Sequence, residues 1–463
     1  MRWAAILGRE RRLAAVVAAT ALAASLAEPV AAGGFSVREQ SAEYQGSSFA
    51  GNGAAGGGLS GMFWNPAVAA YAPAGFYSES HYSAVFGRVE ITGDSFINGV
   101  NLGLPRDSGD IAKDAVVPAS YMSWRINPQL VAAISVNSPF GLTTEPSNRF
   151  WAGQTFARTS EIKTYNFSPT LAYKLTPGLA VAVGLQIEHI EGRLKAAAGN
   201  TPGGTAEFNN VVRGDDTAFG VTAGINWMPS AHTSIGLGYR SSIDHTLEGT
   251  VTVPGAVAGV FGAAAPLLDR GAAIKGGITL PEIVTASLRH GLTDRFAVLG
   301  TVEWSHWSRL EKFDVICANN ATGNPAFCPL GNGQLVSSLP LGWHDGWFFA
   351  LGGEYRYTER LMLRAGGAYE ISPVQSADER SQRVPDVDRV WASLGATYKW
   401  NDQISFDIGY SHIFGLDGDI DRTTRLGAFT ERFIGSVDSQ VDIVSASLKV
   451  KLGGAEPAPE SLK

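Results

Sequence analysis

Past its first 32 residues the chain has no apolar run of 18 or more residues, which excludes a bundle of membrane-spanning helices. Cysteine is nearly absent. The two present, Cys317 and Cys328, sit close together in ICANNATGNPAFCPLGNG, the form of a loop staple in an exported protein. Two thiols with no neighbouring histidine leave a metal coordination set incomplete, so no metal is expected. Positive charge is scarce too: the formal net charge is -7 and no basic patch stands out, which argues against nucleic acid as a partner. The eight histidines are scattered, and no G-x-S-x-G or His-Glu-x-x-His spacing occurs. His344 and Asp345 are adjacent, so on a strand they point to opposite faces and make no catalytic pair. Neither an enzyme nor a bound cofactor is expected.

What is present begins with an address. Arg2, Arg9, Arg11 and Arg12 supply a positive end, Leu13 to Leu26 an apolar run too short to span a bilayer, and Val30-Ala31-Ala32 a small-residue cleavage site. Residues 1–32 therefore read as a secretory signal peptide, with the mature chain starting at Gly33.

The rest is studded with segments of about ten residues in which apolar and polar side chains alternate, the period of strands. In the last of them Val444, Ala446, Leu448, Val450 and Leu452 oppose Ser445, Ser447, Lys449 and Lys451. Alternation alone also fits a soluble sandwich. The connections decide. Tight turns at Asn127-Pro128, Thr176-Pro177-Gly178, Pro229 to His232, Leu292-Thr293-Asp294, Thr358-Glu359-Arg360 and Asn401-Asp402 alternate with long stretches such as 249–280 and 307–344. Short turns at one rim and long loops at the other mark an outer-membrane barrel. Fourteen segments, from 77–90 to 438–452, predict an all-β fold: a 14-stranded antiparallel transmembrane β-barrel over 76–452, with a polar tail at 453–463. Trp227, Tyr239, Tyr355, Tyr398, Trp400 and Tyr410 are candidates for its interfacial aromatic girdles.

Residues 33–75 differ. They are small and Gly-rich, without sustained alternation, and predict a hatch packed inside the lumen, with a flexible periplasmic leader as the alternative. Gly51, Gly53 and Gly56 spell G-x-G-x-x-G, but no βαβ unit surrounds them, so the match is compositional.

The hatch carries a family resemblance. Gly34-Phe35, Glu39-Gln40-Ser41-Ala42 and Asn65-Pro66-Ala67 resemble the opening of the FadL/TodX family of outer-membrane hydrocarbon transporters. The likeness continues through Tyr239-Arg240-Ser241, Leu280-Pro281-Glu282, Trp304 to Ser308, Ser372-Pro373-Val374 and Pro385 to Arg389. The resemblance implies a hatch motif at Asn65, Pro66 and Ala67, and an inward kink of the third strand at Ser138, Pro139, Phe140 and Gly141 that opens a lateral exit. Proline cannot donate to a ladder and glycine weakens a strand, which agrees with a break there.

The resemblance further implies a ligand-capture loop, for which the apolar run PGAVAGVFGAAAPLL offers Val257, Val260, Phe261, Leu267 and Leu268; a self-packed loop helix fits the same residues. Basic residues that hold a ligand carboxylate would be Arg193 and Lys195. A second basic position of the family falls in Ser337-Ser338-Leu339-Pro340-Leu341, which has none, so a neutral hydrocarbon stays open as a substrate. The expectation is passive uptake of long-chain fatty acids or related hydrophobic molecules by a monomer embedded in outer-membrane lipid. The alternatives are a neutral or aromatic hydrocarbon transporter, an open porin and a surface adhesin.

Overall fold

A computed structural model of the chain describes residues 33–197, 209–252, 271–318, 331–426 and 429–453. The signal peptide and nearly all of the tail, the capture-loop residues Val257, Val260, Phe261, Leu267 and Leu268, and Cys328 lie outside them. Fourteen antiparallel strands form one closed sheet. They are β1 (Phe76–Ile97), β2 (Ala115–Arg125), β3 (Leu130–Asn137, resuming at Gly141–Thr144), β4 (Thr159–Thr176), β5 (Leu179–Ala197), β6 (Asn209–Ser230) and β7 (Thr233–Arg240 and Ile243–Thr252). Then come β8 (Ala272–Leu280 and Ile283–Gly291), β9 (Phe296–Ser305 and Lys312–Cys317), β10 (Leu335–Pro340 and Gly346–Arg356), β11 (Leu361–Ile371), β12 (Arg389–Lys399), β13 (Ile404–Gly415) and β14 (Phe429–Leu452). Closure is by β1 against β14, in unbroken register from Phe76↔Leu452 to Ile97↔Glu431. An open edge could not be satisfied in lipid, so this pairing is what makes the sheet a membrane structure.

The turns form as their side chains dictate. Asn127 Oδ1 accepts from Gln129 N and Leu130 N, and Asn401 Oδ1 from Gln403 N and Ile404 N. Thr293 and Thr358 do the same with their hydroxyls. Each replaces part of the ladder where the chain reverses.

Inside and outside follow the alternation. On β14, Val444 and Leu448 are exposed while Ser445, Ser447 and Lys449 are buried. All six girdle aromatics face outward. Several strands outrun their expected ends: β14 starts at Phe429 rather than 438, and stretches read as loop contain Ala272–Leu280, Lys312–Cys317, Leu335–Pro340 and a hairpin strand, Gly418–Leu426. About ten residues cross a bilayer, so these extensions stand above it, where a strand has no lipid-facing side to enforce alternation. Cys317 is buried at the end of one of them and is disulfide-bonded.

The segment from Gly33 onward fills the lumen and is buried almost throughout. It folds into a short helix, Ala42–Gln45, capped by Ser41, and two 3-10 turns, Leu59–Phe63 and Pro66–Tyr71. Its backbone lies directly against glycines of the wall. A Cβ on Gly238 would fall 1.8 Å from Trp64 O, on Gly366 2.1 Å from Ser47 O, and on Gly409 2.7 Å from Ala42 O. Gly51 and Gly53, from the compositional match, donate their N–H groups to Thr301 and Ser287 of the wall.

Candidate functional site

Partway up the barrel the inward positions change character. On β5, Gln186 and Glu188 give way to Ile190; on β7, His245 gives way to Leu247; on β8, Ser287 and Thr285 give way to Ile283 and Ile278. The polar residues below are bonded together: Asn166 Nδ2 donates to Glu188 (3.0 Å), and His245 lies between Glu188 (3.5 Å) and Asp216 (3.0 Å). Above them the apolar residues line a small, partly open cavity of about 80 Å³. Leu142, Ile162, Ile190, Leu247, Ile278, Phe313 and Trp343 line it from the wall, Phe35 from the hatch, and Arg383 and Val384 from the segment between β11 and β12.

Three arginines line this cavity, Arg193, Arg213 and Arg383, and Arg383 comes from the segment between β11 and β12. Its guanidinium donates to Thr159 O (3.3 Å) and Lys195 O (3.1 Å) and lies 3.4 Å from Ser160 Oγ. No carboxylate lies within ion-pair distance of it among the described residues. Burial pushes its pKa down to about 10, so it stays charged at neutral pH. Of the two cations expected on β5, Arg193 lines the same cavity and Lys195 does not. They occupy odd positions of β5, the face of exposed Val183 and Leu185, and Arg193 is 3.7 Å from Glu161, on the corresponding face of β4. Arg193 Nη1 is turned to Glu161 while its Nε has no hydrogen-bond partner among the described residues; Lys195 meets Arg383 through its carbonyl.

The wall is broken beside the hatch. Pairing of β2 with β3 ends at Ser120↔Val136, and the chains next meet at a single bridge, Ala112↔Thr144. On the other side β3 takes four steps from Asn137 to Gly141 while β4 takes three from Asn166 to Lys163. The extra residue and the missing N–H of Pro139 disrupt the ladder. Ser138, Pro139, Phe140 and Gly141 thus stand at a real interruption, and the hatch supplies its partners. Val37 N donates to Pro139 O (2.8 Å), Gly141 N to Phe35 O (2.8 Å) and Gln40 Nε2 to Ser138 O (2.8 Å). The Phe35 ring sits among Trp307 (4.6 Å), Trp343 (5.7 Å) and Phe140 (6.1 Å). One residue therefore floors the cavity with its side chain and closes the break with its backbone.

Asn65, Pro66 and Ala67 lie lower. Asn65 is fully buried; its Oδ1 caps Ala67 N (3.0 Å) while Nδ2 donates to Gly53 O (2.7 Å) and Ile225 O (3.0 Å). It ties two parts of the hatch to β6, remote from the cavity lining. His344 and Asp345 diverge as expected, the first toward Glu379 (3.1 Å), the second accepting from Trp304 Nε1 (2.9 Å). Arg383 is not among the basic positions that the resemblance points to, which fall on β5 and at Ser337 to Leu341. The available signal was its place just before Pro385-Asp386 in a stretch already singled out.

Known proteins share this architecture. The chain is 28% identical over 429 residues to outer membrane protein P1 of Haemophilus influenzae, covering 83% of this chain and 88% of that one. It is 27% identical over 413 residues to the long-chain fatty acid transport protein of Escherichia coli K12, covering 82% and 88%. Among solved structures, a FadL homologue of Pseudomonas aeruginosa superposes with a TM-score of 0.79 at 23% identity, over 90% of this chain and 99% of that one. The toluene transporter TodX of Pseudomonas putida gives 0.63 at 15%, over 91% and 100%. The sequence model described as outer membrane protein transport protein (OMPP1/FadL/TodX) matches residues 23–451, and on that match the chain belongs to this family of outer-membrane transport proteins.

Proposed function

We propose that the protein takes up long-chain fatty acids, as a monomer in outer-membrane lipid, with Arg383 receiving the carboxylate and the apolar cavity the chain. The observation that carries this is a part-buried guanidinium, without an anionic partner among the described residues, on the wall of a mainly apolar cavity whose other charged lining residues are Arg213 and Arg193, the latter paired with Glu161. An uncompensated buried charge is costly, and an ionised head group compensates it. The alkyl chain contributes about 25 cal/mol for each Å² it removes from water. The relatives named for fatty acid transport support the same substrate class. A bound chain competes with Phe35 for the aromatic floor, and displacing Phe35 removes the backbone partners of Pro139 and Gly141. The ligand then leaves sideways through the break. No energy source is needed beyond the concentration gradient.

Competition binding to the purified barrel tests this, with a long-chain fatty acid against a neutral aromatic hydrocarbon of similar apolar area. Arg383→Ala weakens fatty-acid binding roughly tenfold to a hundredfold, the value of a charge-assisted contact, and leaves the hydrocarbon unaffected. Arg193→Ala and Lys195→Ala change neither. Equal affinity for both ligands in the wild type makes the protein a neutral-hydrocarbon transporter of the TodX kind, and loss of fatty-acid binding in Arg193→Ala returns the head group to β5.

A further inference from the structure

The hatch is tied down at its N-terminal end by a buried cluster of charges whose balance does not close. Arg38 pairs with Glu303 (2.7 Å) and Glu370 (3.3 Å), and lies over the Phe348 ring (3.7 Å). Arg389 pairs with Glu370 (3.7 Å) and with Asp386, which also accepts from Gly34 N (2.8 Å). Two guanidiniums thus serve three carboxylates. Glu39 is a fourth: it is 2% exposed, and its Oε2 has no hydrogen-bond partner. The charged groups facing Glu39 are Arg38 on its own segment, Glu370 on β11 and Arg389 on β12; both arginines pair with Glu370, and although Arg38 Nε and Arg389 Nη1 have no hydrogen-bond partner among the described residues, neither bonds Glu39. From β1 it is met by Ser83, whose Oγ donates to Glu39 O (3.1 Å), while His81 is engaged with Ala42 N and Glu79. Arg240 of β7 makes no ion pair among the described residues: it donates to Phe63 O (3.3 Å), lies over the Phe63 ring (4.5 Å), and acts on Glu188 and Glu303 only through space.

Four buried carboxylates on two cations cannot all be ionised without an unpaired charge in a dry site, and such groups bind a proton instead. We propose that Glu39 carries a proton while the hatch is closed, and that surrendering it to bulk water releases residues 34–40 from the break in β3. The hatch end is thus a proton-sensitive latch. This regulation rests on reading residues 33–75 as a hatch, but it needs no ligand. Burial, the largest influence, lifts Glu39 from its ordinary 4.5 to about 7, and it raises Asp386 as well. An acid whose pKa is raised in the closed state favours that state most below 4.5, and the advantage is gone once pH has risen through about 7. Position turns this into function: Val37 and Gln40, on either side of Arg38 and Glu39, are the residues that bond Pro139 and Ser138.

The test is amide hydrogen exchange of the peptide covering residues 34–41 in the purified, ligand-free barrel, from about pH 5.5 to about pH 8.5. Wild type is read as a ratio to Glu39→Gln, which cancels the intrinsic pH dependence of exchange. The latch predicts a ratio near one at the acid end and exchange at least ~tenfold faster in wild type at the alkaline end. Glu370→Gln removes one excess carboxylate, frees a guanidinium for Glu39, and moves the midpoint to lower pH. A flat ratio overturns the proposal, as does a midpoint unmoved by Glu370→Gln. Because no fatty acid is present, an error in the substrate reading leaves this result untouched.

Discussion

The hatch is held at two places by buried charges, and the two are built differently. Its body carries Glu43, which pairs with Arg364 (2.7 Å) and Lys449; Lys449 also meets Asp407 (3.0 Å), and Arg364 meets Glu354 (3.5 Å), itself paired with Arg289. Three cations answer three carboxylates. The neighbouring Glu79 is satisfied by Leu59 N, Ser60 N, Tyr77 and His81. The N-terminal end has two cations for four carboxylates. The consequence shows in two glutamates four residues apart. Burial would raise Glu43, but Lys449 and Arg364 outweigh it and hold it below the usual carboxylate value, whereas Glu39 is pushed up to about 7. A balanced cluster, backed by glycines that admit the hatch backbone, makes an anchor; an unbalanced one beside a gap makes a latch.

Breaking the anchor gives the largest effect. Glu43→Ala leaves Lys449 and Arg364 short of an anion in a buried site, at a cost of about 3–5 kcal/mol. Exchange in residues 42–55 then accelerates at every pH, while residues 34–41 keep their pH step. If Glu43→Ala abolishes that step as well, the two clusters are one unit and the contrast fails.

The barrel could be read from alternation because lipid outside and hatch inside force opposite demands on successive residues of each strand. The same demand vanishes above the membrane, which is why nothing in the sequence pattern marks Lys312–Cys317 and Leu335–Pro340 as strands. The break at Pro139 showed in sequence because a missing N–H is a property of one residue. Which group Arg193 meets is a property of register, which sets it opposite Glu161 at the cavity wall. Arg383 and the charge imbalance around Glu39 depend on contacts hundreds of residues apart, such as Arg38 with Glu370, and no local pattern encodes them.

Tightening the anchor's fit is the next test. Gly366→Ala places a methyl 2.1 Å from Ser47 O, where the neighbour is backbone and cannot turn aside. Overpacking of this kind costs about 1–3 kcal/mol. The hatch body shifts off β11, and ion conductance of the barrel in planar bilayers rises above the wild-type level. Gly277→Ala, whose added methyl meets nothing within 4 Å, is the matched control. Equal conductance in both would mean that the wall glycines do not hold the hatch.

The smallest effect is expected at the latch's own seat. Pro139→Ala restores an N–H, and if the proline alone made the gap, the β2–β3 ladder would extend past Ser120↔Val136 and uptake would fall. The register argues otherwise. The chain still takes four steps from Asn137 to Gly141 against three on β4, so the inserted residue remains without a place in the ladder. Phe140 is still bonded on both its N–H and its carbonyl by Thr164. The change therefore costs under about 1 kcal/mol, through chain flexibility in the unfolded state, and fatty-acid uptake into vesicles stays within about twofold of wild type. A larger loss of uptake, with new exchange protection at residues 116–119, would show that proline keeps the exit open, and would move the cause of the gap from register to a single missing hydrogen-bond donor.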